Sequence, residues 1–206
     1  MKKSKRGNVD PFIVMDVMEN ARKAEERGKD IVHMEVGQPG TPAPIDAQKE
    51  LIKIMKNDSL GYTVALGIPE LRQRISQLYG DWYNLDLNPN RIIITSGSSA
   101  GFILSFSSLF DAKERVGICS PGYPSYRQIL KAQDLEPVLI ETKFENNFQP
   151  FSKDLKDINL SGVLIASPAN PTGSMLNYSQ LEGLINTSLE NNISFISDEI
   201  YHGIEY

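Results

Sequence analysis

Apolar residues recur every three or four positions in PFIVMDVMENARKAEERGKD, IDAQKELIKIMKND and IPELRQRISQLYGDWYN, with charge between them. That period places them on one face of a helix. The pattern predicts helices over 11–30, 45–58 and 68–84. The first should stop near Gly28, and the third carries Pro69 in its first turn, where a missing N–H costs little. Between them, IVHMEVGQPGTPAP is a short extended run that dissolves into Gly and Pro, and GYTVALG reads as a loop. After NLDLNPN the rhythm changes. Short, nearly continuous apolar runs (RIIITSG, RVGICSPG, EPVLIET, SGVLIASPAN, ISFISDEI) now read as buried strands. The stretches SSAGFILSFSSLF, YPSYRQILKAQD and NYSQLEGLINTSLENN read as helices between them.

Strands alternating with helices predict an α/β fold: an α-β-α sandwich with a mostly parallel sheet and helices on both faces. The boundary is expected near residues 50–60, with an N-terminal helical arm before it. In such sheets ligands bind beyond the carboxyl ends of the strands. Distinctive residues stand at the expected strand ends: Gly97-Ser98-Ser99, Pro121-Gly122-Tyr123, Asn170-Pro171-Thr172-Gly173 and Asp198-Glu199-Ile200-Tyr201. Topology alone should bring them to one edge.

Composition narrows the function. The 206 residues are 40% hydrophobic and 23% charged, ordinary for a globular protein with a sizeable core. A net charge of −5 argues against nucleic acid as the main partner. The basic start MKKSKRGNVD lacks the apolar stretch of a signal peptide. No apolar run approaches the ~18 residues of a membrane span. A single cysteine, Cys119, excludes an internal disulfide, and two isolated histidines, His33 and His202, suggest no metal site. A cytoplasmic location is expected.

Each strand end has a chemical reading and a plainer one. TSGSSAGF runs from strand to helix through small residues, so backbone N–H groups and hydroxyls are able to approach a phosphate at a helix N-terminus. An ordinary serine cap is the alternative. Tyr123 could stack on a flat ligand or pack in its Pro/Gly turn. Asn170 precedes a proline, which favours extended backbone and holds the side chain at the strand end. A plain Asn-Pro-Gly turn is the alternative. Asp198 follows a buried strand, where an unpaired carboxylate is costly. It should therefore face a cation, unless it only caps the following turn.

In this order, SGSSAGF, SPGYPSY, SPANPTG and SDEIY, with YTVALGIPELR upstream, resemble the class I/II pyridoxal-phosphate aminotransferases of fold type I, the aspartate aminotransferase-like enzymes. The resemblance covers nearly the whole chain. It implies that Gly97, Ser98 and Ser99 bind the phosphate of pyridoxal 5'-phosphate, that Tyr123 stacks on its pyridine ring and that Asp198 pairs with the ring nitrogen. It assigns Asn170 and Tyr201 to the ring oxygen, Gly37 to the substrate carboxylate and Tyr62 to the phosphate of a neighbouring subunit in a homodimer. It also implies cis bonds at Asn170-Pro171 and Ser120-Pro121. Residues 1–55 would then be an arm and helices of the small domain or dimer arm, and 56–206 the N-terminal portion of the large, cofactor-binding domain. The implied activity is amino-group transfer between an α-amino acid and a 2-oxo acid. A C–S β-lyase, an aminocyclopropane-carboxylate synthase-like enzyme and a non-catalytic remnant are the alternatives.

The family's Schiff-base lysine lies on a later strand than SDEIY, and no lysine here occupies a matching position. The chain is expected to be a truncated portion of the family fold, with no catalytic residue of its own, inactive in isolation and poorly soluble at an unpaired sheet edge. Borohydride reduction of the isolated chain with the cofactor, followed by peptide mapping, should label no single lysine specifically. One specifically labelled lysine would overturn this expectation.

Overall fold

The computed structural model describes residues 2–38, 40–156 and 158–204. The chain divides into two compact units, Met1–Phe12 with Ser96–Tyr206, and Ile13–Thr95. The boundary expected at residue 55 lies inside the second of these. Among the described residues, no helix is long and apolar enough to cross a membrane.

The unit of residues 13–95 is helical. Its helices are α1 (Ile13–Glu25), α2 (Ile45–Asn57) and α3 (Pro69–Tyr83). A turn after α1 ends at Gly28, whose φ is +78°, with the Gly28 N–H donating to Glu25 O at 2.8 Å. Helix α3 opens on Pro69 and closes on Asn84 in the left-handed region, φ 54°. Arg72 is buried in this unit and donates to Pro89 O at 3.0 Å.

The run RIIITSG departs from expectation. Residues 92–95 belong to no strand and are not part of the sheet. Ile92 is extended (φ −103°, ψ 126°), but Ile93 is exposed and the Ile94 N–H donates to Leu66 O at 3.0 Å. Apolar character makes a run extended, but only a partner with a free edge makes it a strand.

The other unit is built on a sheet. It contains α4 (Gly97–Leu109), β1 (Arg115–Ser120), α5 (Pro124–Ala132), β2 (Glu136–Glu141), β3 (Gly162–Ala166), α6 (Tyr178–Glu190) and β4 (Ser194–Asp198). The strand order is β2-β1-β3-β4, and every pairing is parallel. Side chains alternate between two cores, as a period of two requires. On one face Val116, Ile118 and Leu164 meet Phe102, Phe106, Tyr126 and Leu130 of α4 and α5. On the other, Val163, Ile165 and Ile140 meet Leu155, Leu184 and Ile193. Central β3 is apolar on both faces and reads as an unbroken hydrophobic run. This is the expected α-β-α sandwich. Helix α6 starts at a capping box, in which Asn177 and Gln180 each accept the other's backbone N–H at 2.9 Å.

Helix α4 crosses the sheet against the strand direction. Phe110 at its C-terminal end packs over Gly162 at the start of β3, where a Cβ would collide with the ring. Phe102, near its other end, meets Tyr126 edge to face at 5.2 Å. Phe106 between them is fully buried. Phe106→Ala should destabilise this unit by about 3–5 kcal/mol, and urea unfolding followed by circular dichroism checks it.

Candidate functional site

A parallel sheet delivers all its carboxyl ends to one edge. The neighbours β1, β3 and β4 end there in Ser120, Ala166 and Asp198, and Ala166 and Asp198 are paired in register. The loop after β1 carries Tyr123, the loop after β3 carries Asn170, and the turn after β4 carries Tyr201. Helix α4 begins at the same end, because Phe102 lies one turn beyond Ser98 and touches Tyr126. The structure therefore brings Gly97, Ser98, Ser99, Tyr123, Asn170, Asp198 and Tyr201 to one edge of one unit. Tyr62, fully exposed, and Gly37 belong to the other unit.

Asp198 is the centre of this edge. It is buried, 8% exposed. One carboxylate oxygen accepts the Ile200 N–H at 3.0 Å, so Asp198 does cap the turn that follows it. The other accepts the hydroxyl of Tyr126. Burial first, and then this bond to Asp198, push the Tyr126 phenol far above the ordinary tyrosine range, so it stays a donor. Tyr123 and Tyr201 lie near enough to bear on the same hydroxyl. Among the described residues no lysine or arginine forms an ion pair with Asp198.

The flanking loops are held from below. The Ser120 carbonyl accepts both the N–H and the hydroxyl of Thr142, at 2.8 and 3.0 Å. The Ser120-Pro121 bond is cis, and a Cβ at Gly122 would strike the Cys119 carbonyl oxygen, so only glycine fits this bend. Ser167-Pro168 and Asn170-Pro171 are also cis. The Asn170 turn closes through Ala169 N–H to Ser174 O at 2.9 Å and Gly173 N–H to Ala169 O at 2.7 Å. Beneath it the buried amide of Gln149 donates to Ser174 O at 2.9 Å and Ala166 O at 3.2 Å. A small pocket lies between these loops, lined by Pro121, Gly122, Tyr126, Gln149 and Asn170 among others.

At the start of α4, Gly97 adopts φ +79°, a conformation that favours glycine, and Ser96 makes no side-chain cap. Ser98 and Ser99 are exposed in the first turn. The plain serine-cap reading therefore fails at Ser96, and the small-residue turn presents its N-terminus outward. Cys119 offers no nucleophile. Burial, aided by the Asp154 carboxylate, pushes its thiol up to about 12.

Tyr126 and Gln149 were not among the residues expected from the sequence. Tyr126 sits three positions after Tyr123 in YPSY, one helical turn on, and that spacing was the available signal. Gln149 lies in an irregular segment, FENNFQP, with no periodicity to mark it.

A family model described as "Aminotransferase class I and II" matches residues 29–206. The chain is 41% identical over 203 residues to a valine–pyruvate aminotransferase of Mycobacterium tuberculosis, covering 98% of this chain and 52% of that relative. It is 37% identical to a (5-formylfuran-3-yl)methyl phosphate transaminase of Methanocaldococcus jannaschii, covering 97% of this chain and 51% of the relative. An aminotransferase crystal structure from Mycobacterium tuberculosis superposes with a TM-score of 0.95 at 40% identity, over 98% of this chain and 53% of that one. The chain spans about half the length of the curated relatives it matches.

Tyr126→Phe removes one donor from the buried Asp198 carboxylate without changing the ring. It should lower stability by about 1–3 kcal/mol, read from the denaturant midpoint, and a change within error would show that the bond is replaced by water.

Proposed function

The chain belongs to the class I and II aminotransferases, a pyridoxal-phosphate-dependent family, and from that premise we propose that it supplies part of the cofactor site of an enzyme moving an amino group between an α-amino acid and a 2-oxo acid. The observation that carries the reading is Asp198: a buried carboxylate at the carboxyl edge of the sheet, oriented through both oxygens. A protonated pyridine nitrogen is a ligand group that suits it. When bound, the cofactor's protonated ring draws electrons from the substrate's α-carbon and makes its proton easier to remove.

The chain's own residues would hold that ring in place. Asp198 would keep the proton on the ring nitrogen, and Tyr126 would keep the carboxylate aimed. Tyr123 would stack on the ring face. The Asn170 amide and the Tyr201 phenol would donate to the ring oxygen. The backbone N–H groups and hydroxyls of Gly97, Ser98 and Ser99 would take the phosphate, where the α4 N-terminus favours negative charge. Gly37 would meet the substrate carboxylate. Tyr62 would reach the phosphate site of a neighbouring subunit, in a cytoplasmic homodimer. The two relatives act, by their names, on different substrates, which supports the reaction class and not one amino acid.

In the full-length protein, Asp198→Ala should lower turnover by about 10²–10³-fold, the scale of one preorganised electrostatic partner, while circular dichroism shows the fold retained. Near-normal turnover would remove Asp198 from this role.

A further inference from the structure

The segment before α1 is strapped onto α5. Ser4 caps a short turn at Lys5–Gly7, accepting the Arg6 N–H at 3.2 Å. Further along, Asp10 faces three side chains from one stretch of α5: Lys131 at 3.3 Å, Arg127 at 3.6 Å and a hydrogen bond from Gln128. Lys131 holds the Asp10 carboxyl below the ordinary range. Two residues on, Phe12 is half-buried with its ring perpendicular to Tyr123, centroids 5.8 Å apart. Tyr123 in turn stands at 5.3 Å and 78° to Tyr126. The rings continue through Phe102 and Phe106 into the core. Tyr123 is thus held by one ring from the core and one from the strap.

We propose that Asp10 and Phe12 are positioning residues for Tyr123: the carboxylate pins the strap to α5, and the Phe12 ring, seated against Tyr123, sets the pose of the aromatic face that takes a flat cofactor ring. This rests on the assignment of Tyr123 above. Edge-to-face contact defines an angle as well as a distance, so a ring braced on two sides keeps one orientation. The ion pairs are exposed and screened by salt, so their effect is to locate Phe12 more than to stabilise the fold.

The test is equilibrium binding to the full-length protein, with pyridoxamine 5'-phosphate and inorganic phosphate as probes. Phe12→Ala should weaken pyridoxamine phosphate about threefold to tenfold, the scale of one aromatic pair, and leave inorganic phosphate unchanged. Phe12→Tyr should restore the affinity. Asp10→Lys, which reverses the attraction to Lys131 and Arg127, should weaken the same probe, and Lys131→Glu added to it should recover binding. Hydrogen exchange at amides 4–12 should rise in Asp10→Lys while β1 stays protected. Unchanged pyridoxamine phosphate affinity in Phe12→Ala, or equal weakening of both probes, overturns the inference. If Tyr123→Ala also leaves pyridoxamine phosphate binding unchanged, the assignment of Tyr123 fails and the inference falls with it. If Tyr123→Ala weakens binding and Phe12→Ala does not, only the role of the strap is lost.

Discussion

All strands of the sheet point the same way, and the site follows from that. Parallel strands need crossovers, the crossovers cover both faces, and the carboxyl ends are left as the place where loops meet. With β1, β3 and β4 side by side, three loops from distant parts of the chain converge on one edge. Burying the Asp198 carboxyl there is costly unless neighbours satisfy its oxygens, and they do so from the backbone two residues on and from Tyr126 on α5.

Tyr126 joins the packing to the chemistry. Its ring lies in the core formed by α4 and α5, while its hydroxyl reaches the carboxylate. A series of rings from Phe110 to Tyr123 runs along this face, so the orientation of the site aromatics depends on how tightly α4 packs. On the other side of the sheet edge, Gln149 and Thr142 fasten the loops through backbone carbonyls, which leaves the loop side chains available. Loops of this kind carry function because a rigid sheet beneath them fixes their ends.

Most elements were legible from periodicity. Helices α1 to α6 and strands β1 to β4 fall where their spacing places them, with strand ends trimmed: the run 161–170 pairs only over Gly162–Ala166. The exception is RIIITSG, extended but unpaired, because pairing is a property of two segments and a sequence run shows only one. The placement of Tyr123, Asn170, Asp198 and Tyr201 beyond β1, β3 and β4 also follows from topology, whereas Gly97, Ser98 and Ser99 open α4 after a run that ends no strand. Tyr126 and Gln149 did not, since nothing in YPSYR or FENNFQP says which side chain will be buried beneath a loop.

What the sequence by itself determined is the alternation of strand and helix, the parallel class, and the small, aromatic and acidic residues at the strand ends. Those are local properties: side-chain period, turn chemistry and residue type within a few positions. What only the tertiary structure decided is the partnership of those residues. Tyr126 and Asp198 lie 72 positions apart and Lys131 and Asp10 lie 121 apart, so no local pattern encodes either pair. They meet because burial of two apolar faces folds the chain back on itself.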